Sequence, residues 1–182
     1  MQFEVQTMSH VHSTTFHVNI TPQPQSGSQV HVQQSPIALC NLGYNMLMEL
    51  STASAFLKPG MSTIRNTISV WGHFDTGAGI TTIDQSLAQH LGLNPIGQSN
   101  IRTANGNAQT NNYAADVSFV NSKLNSFQNL RISSCNLAGF NLANAIVNKQ
   151  DHTNFGVLIG RDIMSKWSIT WHGPTSTALI AD

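Results

Sequence analysis

Apolar and polar residues alternate with a period of two along much of this sequence, and this pattern limits the fold more than any other feature. In YAADVSF, residues 113–119, every second side chain is aromatic or aliphatic, as on one face of a half-buried strand. Further short strands are predicted at 63–74, 130–132, 142–147, 157–159, 167–171 and 178–180. The sequence therefore predicts an all-β fold with one or two short helices.

Two local signals place a helix and a hairpin between these strands. In TTIDQSLAQHLGL, residues 81–93, Asp84 can cap the first turn of a helix, and Gly92 suits the left-handed position that ends one. Asn105-Gly106 is a dipeptide that tight hairpin turns prefer. We therefore expect a short helix followed by a hairpin.

The first 60 residues form a separate part of the chain in this interpretation. Residues 3–34 alternate with the strand period around a Pro/Gly/Ser loop. The apolar run at 37–57 is ambiguous, and we predict a short helix over 44–50. A KPG turn ends this part, so we expect a β-rich extension over 1–60 and the main domain over 61–182.

Composition limits the class of function. Only 9% of the 182 residues are charged, and eight Lys and Arg balance eight Asp and Glu, so a nucleic-acid partner is not predicted. No apolar run reaches the roughly 18 residues of a membrane span, and the first ten residues lack the features of a secretion signal. The sequence therefore predicts no membrane partner and favours the cytoplasm.

Cysteine and histidine give no sign of a metal site. Cys40 and Cys135 lack CxxC spacing, so we interpret them as free thiols. His10, His12 and His17 lie close in sequence but lack a further ligand at a defined spacing. No metal is predicted.

Asp75-Thr76-Gly77 is the motif with the clearest chemistry. Two carboxylates that share one proton can hydrolyse an amide, because one takes a proton from water while the other donates to the carbonyl oxygen. Such a site needs each acid on a tight loop with hydroxyl and amide groups around it, and this tripeptide supplies them. By itself the tripeptide is also compatible with an ordinary turn.

Four motifs together resemble the retropepsin-like aspartic proteases, the single-lobed relatives of the pepsins. They are FDTGAG at 74–79, LAQHLGL at 87–93, TANGN at 103–107 and VLIGRDIM at 157–164. The resemblance covers roughly residues 64–182 and implies a closed β-barrel with a psi-shaped crossing of strands. It also implies an endopeptidase that needs no metal or organic cofactor.

The resemblance also implies roles for individual residues. Asp75, Thr76 and Gly77 would be catalytic. The residues that would bind an extended peptide are Ala78, Gly79, Ile80, Asn105, Gly106, Ile159 and Gly160. Asn105 and Gly106 would lie in a flap that closes over the substrate, which we expect to carry apolar residues beside the cleaved bond.

The number of motifs sets the expected stoichiometry. The chain has a single Asp-Thr-Gly and no Asp-Ser-Gly, so the resemblance implies a homodimer in which Asp75 meets its copy across a two-fold axis. Residues 1–60 could then cover the flap, extend a sheet at the dimer interface, or be a removable prosegment. Two alternatives stay open: a dimeric peptide-binding or scaffolding module without activity, and a precursor that cleaves only itself around residues 50–65.

One position departs from the family. Many viral members carry an acid four residues after the catalytic Asp, where it pairs with the Arg of the second motif. Gly79 occupies that position here. We therefore expect Arg161 to pair with Asp84 or a C-terminal carboxylate, or with no acid.

Overall fold

A computed structural model of the chain describes residues 13–17, 43–54, 66–103, 106–120, 124–151, 153–172 and 177–182. The strands are β1 (Ser13–His17), β2 (Asn45–Thr52), β3 (Thr67–Phe74), β4 (Thr82–Asp84), β5 (Gly97–Thr103), β6 (Gly106–Phe119), β7 (Phe127–Cys135), β8 (Phe155–Ile159), β9 (Ser168–His172) and β10 (Thr177–Ala181). The helices are α1 (Gln85–His90), α2 (Leu142–Val147) and α3 (Arg161–Met164). The predicted all-β class is confirmed, and the described residues contain three short helices where one or two were predicted.

Six of these strands close into a barrel. The order is β2, β3, β8, β4, β7 and β6, and the pairing of β6 with β2 completes the ring. β5 extends the sheet from the outer edge of β6. Alternate strand side chains point into the barrel, and those under 2% exposed include Met46, Met48, Leu50, Ile83, Val117, Ile132, Val157 and Ile159. Leu87 of α1 and Leu91, which follows this helix, are equally buried. The barrel therefore encloses one continuous apolar core.

The strand order creates a crossing at one end of the barrel. β3 and β4 follow one another in sequence, but β8 lies between them, parallel to β3 and antiparallel to β4. The loop from β3 to β4 must therefore pass over the end of β8. Residues 75–81 form this loop, which we call the Asp75 loop.

The helix predicted over 44–50 is wrong, because this segment lies in β2. Met46, Met48 and Leu50 are almost completely buried, whereas Glu49 is exposed, so the side chains follow the period of two. β2 pairs with β3 on one side and β6 on the other. These tertiary pairings decide the conformation over the helical preference of Leu, Met and Glu.

The strand predicted at 142–147 is also wrong, because these residues form α2. Asn141 caps this helix, and its side chain accepts a hydrogen bond of 2.9 Å from the amide of Asn144. Asn before LANAIV is an ordinary helix-start signal. The strands predicted near 130–132, 157–159, 167–171 and 178–180 are confirmed, with small shifts of their ends.

A second sheet joins the two ends of the chain. β10 pairs with both β1 and β9, and Phe16 lies opposite Ala178. Of the strand pattern predicted over residues 3–34, the structure confirms a strand at Ser13–His17. The remaining strands predicted in residues 3–34 lie outside the described residues.

β2 bears on the predicted boundary at residue 60. A domain that began at residue 61 would lack β2 and the pairings that close the barrel. Residues 45–52 are therefore part of the barrel in this structure.

The helices in the described ranges are all too short to cross a membrane.

Candidate active site

The Asp75 loop begins where β3 leaves the core. The amide of Asp75 donates to the carbonyl of Ile159 over 3.1 Å, which ties the loop to the end of β8. Phe74 is buried, and its ring packs against Trp167 and Trp171 with centroid distances of 6.4 and 5.3 Å. The residue before the acid is thus fixed by the core, and Asp75 is the first residue free to face the cleft.

Backbone amides hold the carboxylate of Asp75. Its Oδ1 accepts hydrogen bonds from the amides of Gly77, at 2.8 Å, and Ala78, at 3.3 Å. A Cβ at Gly77 would lie only 3.0 Å from Oδ1, so a side chain would crowd this oxygen. Within the described residues Oδ2 accepts no hydrogen bond. The loop therefore orients the carboxylate and leaves one oxygen for chemistry.

Thr81 links the Asp75 loop to the residues after β8. This side chain is fully buried, and its hydroxyl donates to Oδ1 of Asp162 over 2.8 Å while accepting from the amide of Gly160 over 3.0 Å. The amide of Thr81 also donates to Oδ1 of Asp162, over 2.9 Å. Three hydrogen bonds thus lock the crossing beneath the loop.

Replacing Thr81 by valine should test this link. Valine has nearly the same shape but leaves the amide of Gly160 and the carboxylate of Asp162 without the hydroxyl, which should lower the free energy of unfolding by about 2 kcal/mol. Urea unfolding at a fixed protein concentration measures the change. Thr81→Ser keeps the hydroxyl and should recover most of the loss; equal stability of the valine variant and the wild type would contradict the prediction.

Arg161 does not pair with Asp84. Its Nη1 donates to the carbonyl of Thr76 over 2.6 Å. Asp84 instead caps α1 through the amide of Ser86, at 2.9 Å, and accepts from the amide of Leu137, at 2.8 Å. Among the described residues Arg161 forms no ion pair. Of the three arrangements expected for Arg161, the structure therefore shows the one in which it pairs with no acid.

A cleft of about 1050 Å³ opens in front of Asp75. Its floor is the Asp75 loop, and the predicted residues Gly77, Ala78, Gly79 and Ile80 line it. The β5–β6 hairpin and the end of β7 form other walls. The structure therefore brings the predicted catalytic acid and four predicted neighbours to one cavity.

Other predicted residues lie away from the cleft. Ile159 is 0% exposed, so it supports the loop from the core and does not line the cleft. Gly160 is buried, and a Cβ there would lie 2.5 Å from the carbonyl carbon of Ile80. Gly106 is exposed in the hairpin and is absent from the cleft lining. Asn105 lies outside the described residues.

The β5–β6 hairpin itself is confirmed. The two strands pair from Gly97 with Asn112 to Thr103 with Gly106. Gly106 has a φ of 113°, a conformation that favours glycine.

Sequence reasoning missed several residues of the cleft. They are Thr82, Gln85, Gln98, Ile101, Arg102, Ala108, Gln109, Thr110, Asn111, Ser133, Ser134, Cys135, Asn136 and Leu158. Leu158 could have been found from alternation, since Val157 and Ile159 are buried and the residue between them must face the other side. The polar residues on β5, β6 and β7 carried no such signal.

Cys135 is a free thiol in the cleft wall. Burial raises the pKa of this thiol, and the Asp84 carboxylate raises it further. It is therefore a neutral side chain at neutral pH. Cys40 lies outside the described residues.

His73 lies two residues before the acid and is held on several sides. Its Nδ1 is 2.7 Å from Oδ1 of Asn45, and its ring stacks on Phe155 with a centroid distance of 4.7 Å. Gly43 lies against the ring, since a Cβ there would be 2.5 Å from Cε1. Burial lowers the pKa of His73 from its ordinary value of 6.5, while the Asp75 carboxylate opposes this shift. His73 is thus held as a neutral packing residue.

This shift predicts how stability changes with pH. Because the pKa of His73 is lower in the folded chain, the unfolded chain binds the proton first, and stability should fall as the pH decreases through 6.5. Urea unfolding of the wild type and His73→Gln between pH 7.5 and 5.5 measures this. The wild type should lose more stability than the variant over this interval; parallel pH curves would contradict the prediction.

No group of three or more His, Cys, Asp or Glu side chains that could hold a metal ion occurs in the described part of the chain.

Comparisons with known proteins give matches to aspartic proteases. A family model described as aspartyl protease matches residues 61–163, more than half of the chain. A retropepsin-like aspartic protease from Rickettsia conorii matches with a TM-score of 0.47 and 10% identity, over 98% of this chain and 97% of that chain. A foamy viral protease-reverse transcriptase in complex with an RNA/DNA hybrid matches with a TM-score of 0.36 and 14% identity, over 68% of this chain and 12% of that chain. A comparison with curated protein sequences gives no match.

Proposed function

This chain belongs to the aspartyl protease family, and on that premise we propose that it is an aspartic endopeptidase whose site forms from two identical chains. The observation that carries the proposal is the carboxylate of Asp75, which two amides orient at the floor of a cleft of about 1050 Å³. An ordinary turn would not need the hydrogen bonds that tie this loop to β8 and its end, from the amide of Asp75 to the carbonyl of Ile159 and from the amide of Gly160 to the hydroxyl of Thr81.

The dimer supplies the second acid. Among the described residues that line the cleft, Asp75 is the only acid. Amide hydrolysis by carboxylates needs a pair, because one must accept a proton while the other donates one. A two-fold axis beside the Asp75 loop would bring the copy of this carboxylate into the same cavity.

The chemistry of the pair follows from one shared proton. The ionised carboxylate takes a proton from water, the water oxygen attacks the carbonyl carbon, and the protonated carboxyl donates to the carbonyl oxygen. The tetrahedral species then collapses, the C–N bond breaks, and the amine leaves with a proton returned from the pair. Two carboxyl groups about 3 Å apart cannot both ionise, because their negative charges would repel each other. The pair therefore keeps one proton.

The cleft suits an extended peptide. The backbone of Gly79 can pair with it as an added strand, and the apolar side chains of Ile80, Ile101 and Leu158 line the same cavity. The β5–β6 hairpin, which includes Gly106, would act as the flap. Substrates should therefore carry apolar residues beside the cleaved bond.

Mass spectrometry separates this proposal from its two alternatives. Purified wild-type protein and Asp75→Asn are incubated alone and with a peptide library. Cleavage of library peptides by the wild type but not by Asp75→Asn supports the endopeptidase. Cleavage only within the protein's own chain supports the self-processing precursor, and no cleavage supports a peptide-binding module. Sedimentation equilibrium on the same samples tests the dimer: an active monomer would contradict the shared site.

A further inference from the structure

We propose that Arg161 binds a carboxylate of the substrate peptide at the rim of the cleft; this inference rests on the proposed function and names a class of substrate for it. The chemistry is a guanidinium that meets a carboxylate, supplied by an Asp or Glu side chain or by the free end of the peptide.

Arg161 is held against the Asp75 loop at two points, once through its backbone amide and once through its guanidinium. The backbone amide of Arg161 donates to the carbonyl of Ala78 over 3.0 Å, and Nη1 donates to the carbonyl of Thr76 over 2.6 Å. These contacts fix the side chain before any ligand binds, so little conformational entropy is lost on binding.

Gly79 leaves the guanidinium next to the cleft. A Cβ on this residue would lie 3.5 Å from Nη2 of Arg161, and Gly79 is exposed and lines the cleft. Because glycine has no side chain, nothing from position 79 stands between Nη2 and a bound peptide.

Asp162 and Asp84 already accept hydrogen bonds from other groups. Oδ1 of Asp162 accepts from Thr81 and from the amide of Ile163, and Asp84 is bonded to Ser86 and Leu137. Over the ranges that the structure describes, no carboxylate forms an ion pair with Arg161. Its remaining donors are therefore available to a ligand.

A carboxylate is the group that these donors fit. Guanidinium presents five N–H donors in a planar fork, which matches the two oxygens of a carboxylate. In the dimer a second Arg161 would lie at the same distance from the acid pair, so acidic residues should be preferred at symmetric positions on both sides of the cleaved bond.

Peptide binding to inactive protein tests the inference without requiring catalysis. Matched fluorescent decapeptides carry Glu or Gln at one position at a time, with a free or amidated C-terminus, and binding to Asp75→Asn is measured by fluorescence anisotropy. A Glu side chain, or a free terminus, should bind about five-fold tighter than its neutral counterpart at one position, since the pair is solvent-exposed. This preference should weaken as salt rises.

Three further variants in the Asp75→Asn background assign the preference. Arg161→Gln removes the cation, and Gly79→Asp supplies an internal carboxylate to it; each should bring the ratio of affinities close to one. Arg102→Gln removes a cation that lines the cleft among the described residues, and this variant should keep the preference.

The outcomes separate this inference from the proposed function. Equal binding of acidic and neutral peptides, or a preference lost in Arg102→Gln but kept in Gly79→Asp, overturns the role of Arg161. Acid preference without cleavage by the wild-type protein would keep the site and remove the endopeptidase. Where Arg161→Gln fails to fold, Gly79→Asp decides alone, because it keeps the arginine.

Discussion

Asp75→Asn should lower the rate of peptide cleavage about a thousand-fold while the protein still folds and associates. Asparagine keeps the size of the side chain and can still accept the hydrogen bonds from Gly77 and Ala78 through its oxygen. It cannot take a proton from water, so general base catalysis is lost. A quenched fluorescent peptide library measures the rate, and Glu49→Gln, an exposed acid on β2, is the matched control that should stay active.

Mixing the two chains makes the same substitution a test of stoichiometry. If chains exchange at random in an equal mixture, about a quarter of the dimers contain two wild-type chains, so the activity per wild-type chain should fall to about half. A chain that carried a complete site would keep its full activity in the mixture. That result would contradict the shared pair even if Asp75→Asn alone were inactive.

Gly160→Ala should be among the most destabilising single-methyl changes in this chain. The new Cβ would lie 2.5 Å from the carbonyl carbon of Ile80 and 2.6 Å from the amide nitrogen of Thr81, and backbone atoms cannot rotate away as a side chain can. We expect the free energy of unfolding to fall by about 3 kcal/mol, at the upper end of the cost of overpacking. Urea unfolding at one protein concentration measures it.

Gly97→Ala is the control for this change. No atom lies within 4 Å of a Cβ at Gly97, so its effect should stay within about 0.5 kcal/mol. Gly160→Ala should also lower activity beyond the loss of folded protein, because relief of the clash displaces the Asp75 loop. Equal unfolding midpoints for the two variants would contradict the prediction. They would show that the backbone of Ile80 and Thr81 can move away from a Cβ at position 160 at little cost.

The fold class could be predicted because its signals are local. Asp84 caps α1 as the sequence indicates, with its side chain on the amide of Ser86, and Gly92 has the expected left-handed φ of 67°. The segment at 45–52 misled the prediction because its Met, Leu and Glu residues also suit a helix. Only its pairing with two distant strands decides between the states.

The sequence motif predicted the loop that carries the acid, but it did not predict most of the residues that line the cleft. Asp75, Gly77, Ala78 and Gly79 lie together because they are consecutive in one loop. The walls from β5, β6 and β7 come from residues far away in sequence, and no pattern marks which of their polar side chains face the cleft. The partner of Arg161 could not be predicted either. It is the backbone carbonyl of Thr76, and every residue type has such a carbonyl.

The position of β2 has a consequence for a chain that is cut between β2 and β3. β2 is hydrogen-bonded to β3 along Asn45–Ser51 and to β6 along Met48–Thr52, and Met46, Met48 and Leu50 fill the core. A nick there would break the covalent chain but not these pairings, so the amino-terminal fragment would stay bound as a complementing strand. Such a nicked protein would elute from a sizing column as an intact one, and only denaturation would separate its two pieces.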